Sequence, residues 1–422
     1  MATDVDVQYF SHLNGLTLGN NWGDLIRLLD KALVTGIDFT QITAASIDAQ
    51  GDVHITLYAA HNAMLFQVVE LSGFAPTSLN QKYRIKGVPS ATELILKPHT
   101  AIAETSITTV GSGKLASLGY EIIFRDTNDV KRVYRAKNPT AQHPFIRVDE
   151  SIASDTGSYT STYAKSAMVG LLEHMEHIDD YENPNVLQLP FDPADPVKNW
   201  KITGTGTSVV RGGAKWYWAT AADAAITSMN DISGPSTVNR SFTLAGDSDA
   251  FYLLNARTST GHFKLINGAG LIKTTLKSMQ PPWFLMATNR AVSASIPQSI
   301  GSDVATSPLT NNSIGSKILA TSASATSVSG HTFYNPVLPS FKSGAETFFG
   351  GGIVGALEIP VYDDFAILRG TLHIVAYSGK SHGNTIATTA LTAEKSMYVY
   401  DALTPNDNSN NGGIYFYLGE LE

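Results

Sequence analysis

Asn20-Asn-Trp-Gly-Asp-Leu-Ile-Arg-Leu-Leu-Asp-Lys-Ala-Leu-Val-Thr-Gly36 is the best-marked helix in a chain that otherwise reads as strands and turns. Trp22, Leu25, Ile26, Leu29 and Leu33 fall at helical spacing and form one apolar stripe. Asn20 or Asn21 can cap its start, because a side-chain oxygen there satisfies a free backbone N–H. Gly36 can end it in the left-handed conformation that other residues avoid.

Around this helix the chain reads as mainly β with a few helices. Residues 1–20 form an extended arm with Tyr9, Phe10, Leu13, Leu16 and Leu18, which it cannot bury by itself. The arm packs on its own domain or reaches a neighbouring subunit. Val53, Ile55 and Leu57 alternate as in a half-buried strand. Further strands are expected at Phe66–Leu71, Tyr83–Val88 and Glu93–Lys97, so residues 48–98 form a small β-barrel or sandwich module. Tyr120–Arg125 and Val130–Arg135 flank the hairpin turn Asp126-Thr-Asn-Asp, and Phe145–Glu150 is another strand. The module is therefore inserted into an N-terminal α+β domain of residues 1–47 plus 99–190. Ala164, Ala167, Met168, Leu171, Leu172, Met175 and Ile178 predict a second helix over 164–179. The Pro-rich passage 183–196 is the expected linker. Residues 191–422, with short apolar runs split by Gly, Ser and Asn, read as a larger C-terminal β-sandwich, one domain or two. Segment 291–330, rich in Ser, Thr and Ala, is expected to be a long excursion or a partner-contacting loop, and 405–413 a loose Asn/Ser/Gly loop that also contacts partners.

Composition narrows the function. The 422 residues are 43% hydrophobic, 16% charged and free of cysteine, with a formal net charge of −8. That charge argues against general binding to a phosphate backbone. The absence of cysteine removes disulfides and thiolate metal sites. Low charge with much Ser, Thr, Asn and Gly suits a surface packed against neighbours. The acidic N-terminus lacks the pattern of a signal peptide, and no run of about 18 apolar residues is long enough to span a membrane.

Few residues suggest chemistry. Glu173-His-Met-Glu-His177 puts His174 and His177 three apart, with Asp179, Asp180 or Glu182 as further ligand candidates, but a solvated polar face is the simpler reading. Asp363-Asp364 and Asp247-Ser-Asp249 are possible carboxylate pairs for acid–base work or Ca²⁺, but both sit at strand edges, where ordinary turn chemistry is the simpler reading. Trp216 and Trp218 share one face of a strand, with Tyr217 on the other, and can stack on sugars or bases or pack in a core or interface. Gly350-Gly-Gly352 lacks the Lys-Ser/Thr of a phosphate loop. No catalytic residue, metal ligand or cofactor is expected. Tyr9, Phe10, Trp216, Trp218 and Trp283 are the candidate interface residues.

The helix Leu25–Gly36, Ser72-Gly with Leu79-Asn80, Val88-Pro-Ser-Ala-Thr92, Val133-Tyr-Arg135 and Phe145-Ile-Arg-Val-Asp-Glu150 occur in an order that resembles tail and baseplate structural proteins of double-stranded DNA bacteriophages. The related protein of contractile tails is called a ripcord. The resemblance covers the first 180 residues, includes a helix near 164–179, and departs in lacking a Gly-centred turn between His61 and Gln67. It implies a non-enzymatic virion component made in the host cytoplasm. Such a protein bridges tail tube, sheath or sheath initiator, and baseplate wedge, in several copies, with no direct contact with nucleic acid or membrane. A receptor- or carbohydrate-binding tail protein is the alternative, with Trp216, Trp218, Tyr252 and Trp283 stacking on sugar rings.

Overall fold

The structure is a computed structural model. It describes residues 3–151, 166–192, 194–203, 210–219, 237–256, 264–276, 281–291, 302–306, 309, 318–321, 331–337, 356–363, 365–378, 388–403 and 412–421. Phe348, Phe349, the Gly350–Gly352 run, Asp364, most of 291–330 and nearly all of 405–413 lie outside these residues. The described parts of 291–330 include Ser302–Thr306 and Ile318–Thr321, which are paired strands and not the loop expected there, because short Ser/Thr/Ala-rich runs satisfy their backbone groups in the sheets.

The chain is mainly β, as expected, and its strands pair antiparallel in large sheets. The anchoring helix is present: Asp24–Leu29 is α-helical, and Asp30–Thr35 continues it as a π-helix. Leu25, Ile26, Leu29 and Leu33 are buried on it. Its start differs from expectation. The capping position falls to Gly23, at φ 83°, and not to Asn20 or Asn21. A carboxylate far along the chain does the capping: Glu150 accepts the N–H groups of Gly23 and, at 2.8 Å, Ile26. Gly36 ends the helix at φ 72°, where a Cβ would lie 2.1 Å from the Leu115 carbonyl oxygen.

A seven-stranded sheet follows, in the order Ile37–Asp38, Ser112–Leu115, Val68–Ser72, Lys82–Ser90, Glu93–Pro98, Val53–Leu57, Ile42–Ile47. The expected strands of residues 48–98 are all here, and Val53, Ile55 and Leu57 point inward as their alternation requires. The sheet also draws in strands on either side of 48 and 98. Between His61 and Gln67 the chain turns at Asn62 (φ 50°) and Phe66 (φ 67°), which take the left-handed conformations that glycine would otherwise supply.

The expected second helix is a strand. Ser166–Leu172 pairs with Phe145–Asp149 on one side and Ala214–Tyr217 on the other, and all seven of its residues are buried. A strand covered on both faces is a continuous apolar run, a pattern that periodicity cannot separate from a buried helix. Gly170 confirms the close packing, since a Cβ there would stand 2.7 Å from Trp200. The Pro-rich passage is likewise no free linker. Gln188–Leu189 joins the same sheet, and Leu187, Leu189 and Phe191 are buried. This sheet runs from Tyr120–Arg125 across to Thr288–Ala291 and Ser302–Thr306, so it spans both sides of position 190.

The twelve-stranded sheet begins with the N-terminal arm. Gln8–Ser11 pairs with Phe242–Gly246, and the order continues through Ala250–Ala256, Lys264–Leu271, Trp283–Met286, Ile318–Thr321, His331–Pro336, Leu357–Asp363, Leu368–Ser378, Gly412–Glu420, Ser396–Leu403 and Thr389–Ala393. The arm therefore packs on its own chain. Arg84, fully buried, fixes it there by donating to the carbonyls of Asp4, Val7, Phe66 and Leu418. One guanidinium thus ties together the N-terminal arm, the seven-stranded sheet and the last strand. A second buried network joins Lys264, Asp401, Thr243, Thr388 and Ser11. One apolar core lies among the helix, the seven-stranded sheet and the strands around Trp216; another lies along the twelve-stranded sheet.

Candidate functional site

The aromatic residues singled out from sequence are interior. Tyr9, Phe10, Trp216, Trp218 and Trp283 are all at most 1% exposed. Their polar atoms are satisfied within the chain: Tyr9 Oη donates to the Leu65 carbonyl (2.6 Å), Trp216 Nε1 to Met286 (2.9 Å), Trp218 Nε1 to Gly19 (3.1 Å) and Trp283 Nε1 to Gln142 (2.6 Å). Tyr252 is buried too, stacked on Phe284. None of these rings has a face left for a sugar or a partner, so the fold uses them as core.

The acidic candidates separate into different roles. His174 and Glu176 are exposed on a loop, 3.5 Å apart, and Asp179 is bound to Lys131 and Arg147. Among the described residues no group of three or more His, Asp or Glu side chains is placed to hold a metal. Asp247 and Asp249 sit on the turn between Phe242–Gly246 and Ala250–Ala256, and each meets a histidine. His373 Nε2 lies 2.7 Å from Asp247 Oδ2, and His143 Nε2 lies 2.9 Å from Asp249 Oδ1. Burial pulls the His373 imidazole down, but the Asp247 carboxylate, with Asp249 behind it, outweighs burial and holds it above its ordinary value. The His143 hydrogen bond holds Asp249 low. This one turn thereby binds the segment before Phe145–Asp149 to strand Leu368–Ser378.

Beside His373 the open face of the sheet forms a groove of about 700 Å³. Lys273, Glu358 and His373 stand among its walls, as do Tyr398, Tyr415 and Tyr417. Ile374, next to His373, sits at φ 57°. A β-branched residue rarely adopts that conformation, and such strain collects where the surrounding fold enforces a local shape.

At the other end of the same strand pair is an exposed apolar apex. The hairpin joining Leu357–Asp363 to Leu368–Ser378 leaves Phe365 82% and Leu368 62% exposed, with Ile367 and Tyr362 also outward. Asp363 holds this apex in shape. Its Oδ1 accepts the N–H groups of Phe365 (3.0 Å) and Ile367 (2.9 Å), and its Oδ2 pairs with Arg369, Nε at 2.8 Å. Both charged side chains are buried. Asp363 is therefore a turn-forming residue, the plainer of the two roles its sequence allowed.

Sequence reading missed His143, His373, Lys273, the groove tyrosines and Phe365. The tyrosines carried a usable signal. Tyr398 and Tyr400 alternate in Ser396-Met-Tyr-Val-Tyr, as do Tyr415 and Tyr417 in Ile414-Tyr-Phe-Tyr-Leu, so each pair shares one face of its strand.

No family model matches the chain, and no curated protein matches it. Among solved structures it is similar to the Phage phi92 endosialidase, at 8% identity over 91% of this chain, with a TM-score of 0.16. The chain spans about half of that structure's length (53%), and a likeness of this size fixes neither fold nor activity.

Proposed function

We propose that this protein is a non-enzymatic structural subunit of a bacteriophage tail. Several copies pack against one another and against tube, sheath or sheath-initiator, and baseplate-wedge proteins. The observation that carries the reading is the hairpin apex. Phe365, Ile367 and Leu368 face solvent on a turn that a buried ion pair makes rigid. Exposed apolar clusters on a fixed scaffold mark protein–protein contacts, and large anchors supply most of the binding energy there. Rigidity matters because little ordering entropy remains to be lost on docking. The tail assignment itself rests on the resemblance of the first 180 residues, of which the helix at 24–35 is present and the helix near 164–179 is replaced by the strand Ser166–Leu172. The arm is largely buried in its own chain, and among the described residues Phe365 and Leu368 of the hairpin are two of the most exposed large apolar side chains, so the hairpin is proposed as a contact element.

Sedimentation velocity of the purified full chain tests the reading. Reversible association is expected, weakened in Phe365→Ser with the fold retained. A chain that stays monomeric at all concentrations, alone and with tail extracts, would count against it.

A further inference from the structure

We infer that the groove on the open face of the twelve-stranded sheet binds an uncharged saccharide. The inference stands apart from assembly, since the hairpin apex is not part of the groove wall.

Three observations carry it. First, the groove presents aromatic surface outward, whereas Trp216, Trp218 and Trp283 are sealed in the core. Tyr398 and Tyr417 are only partly buried, with ring centroids 5.4 Å apart. An aromatic face is electron-rich and attracts the C–H bonds of a pyranose face, while the phenol edge can meet a hydroxyl. Second, the platform is set before any ligand arrives. Tyr417 Oη donates to Glu420 Oε1 (2.7 Å), and Ser396 Oγ donates to the same oxygen (2.6 Å). Tyr415 packs against the buried Tyr400, centroids 4.9 Å apart. The ring positions therefore cost little entropy to fix. Third, the polar groups at the groove balance in charge. Lys273 offers donors, Glu358 offers acceptors, and His373 is occupied by Asp247. Lys273 set against Glu358, and His373 set against Asp247, leave the groove without a net charge, which favours a ligand rich in both donors and acceptors over an ionic one. A volume near 700 Å³ is within the range of small-molecule sites and exceeds one sugar ring.

The strained Ile374 fits this picture. The pairing of Leu357–Asp363 with Leu368–Ser378 shifts register between Glu358 and Pro360, opposite the segment that carries Ile374. Such irregularities re-aim side chains beside binding sites.

The test is an array of neutral and acidic oligosaccharides probed with the full-length chain, followed by titration calorimetry on the hits. At least one neutral oligosaccharide is expected to bind. Thr392→Arg, at an exposed position on the groove wall, and Tyr417→Ala should each weaken it about tenfold or more, equivalent to about 1.4 kcal/mol. Phe365→Ser should leave binding unchanged, which separates this result from failure of the assembly reading. Absence of any neutral hit, preference for acidic glycans, or wild-type binding by Thr392→Arg would each overturn the inference. If Tyr417→Ala does not fold, Thr392→Arg decides alone.

Discussion

Replacing Asp363 by Asn divides the two tasks of one carboxylate. The Asn side-chain oxygen can still accept the N–H groups of Phe365 and Ile367. Its NH2, however, now faces the Arg369 guanidinium, donor against donor. Both charged side chains are nearly inaccessible, at 7% for Arg369 and 3% for Asp363. Removing one partner of a buried ion pair costs about 3–5 kcal/mol, because the other charge is left buried without compensation. Arg369 stands close to the hairpin end, where partial rehydration is open to it, so the lower value of about 3 kcal/mol is expected. The loss should be local and open the apex, leaving the cores intact. Chemical denaturation gives the overall change, and amide exchange at Phe365 and Ile367 shows where it falls. The double variant Asp363→Asn/Arg369→Met removes the stranded charge and should recover most of the loss. Acid provides a second axis. Burial alone would raise the Asp363 carboxyl, but the turn N–H groups and Arg369 more than offset it and hold it below its usual 3.8. A depressed carboxyl contributes stability above its unfolded value and loses it as pH falls through the folded one. Wild type should therefore lose apex protection in acid, and the double variant should not. A cost under about 1 kcal/mol for Asp363→Asn, or a double variant worse than the single, would mean that the buried pair does not hold the apex.

Other substitutions test the remaining framework. Arg84→Met leaves the carbonyls of Asp4, Val7, Phe66 and Leu418 without their donor and should cost more than about 3 kcal/mol in urea unfolding, with early proteolysis of the arm. Trp216→Ala should cost about 3–5 kcal/mol as a core cavity, while any saccharide binding by molecules that stay folded is unchanged. His373 is held above 6.5, the Asp247 hydrogen bond and charge outweighing burial and the opposing Lys273. A raised histidine contributes stability below its unfolded value and loses it as pH rises through the folded one. The stability gap between wild type and His373→Gln should therefore narrow as pH is raised above 6.5, as thermal melts across the range would show.

Local patterns in the sequence carried much of the fold. Alternation placed Val53, Ile55 and Leu57, the hairpin at 126–129 followed from its turn residues, and Leu25, Ile26, Leu29 and Leu33 marked the helix. Long-range partners were illegible. Nothing near Asn20 reveals that Glu150 caps the helix, or that Arg84 locks the N-terminal arm to the last strand. The Ser166–Leu172 strand was misread because burial on both faces erases the period of two. The tryptophans drew attention by size, yet size alone does not separate a platform from a core. The exposed hairpin apex had no signature beyond apolar residues beside Asp363, and these read equally well as a strand end.

Cryo-electron microscopy of intact tailed particles from the organism that encodes this chain tests the tail assignment at its root. Density for several copies is expected in the tail, with Phe365, Ile367 and Leu368 covered by a neighbouring subunit. Particles that lack the chain, or that leave this hairpin apex facing solvent in every copy, would contradict it.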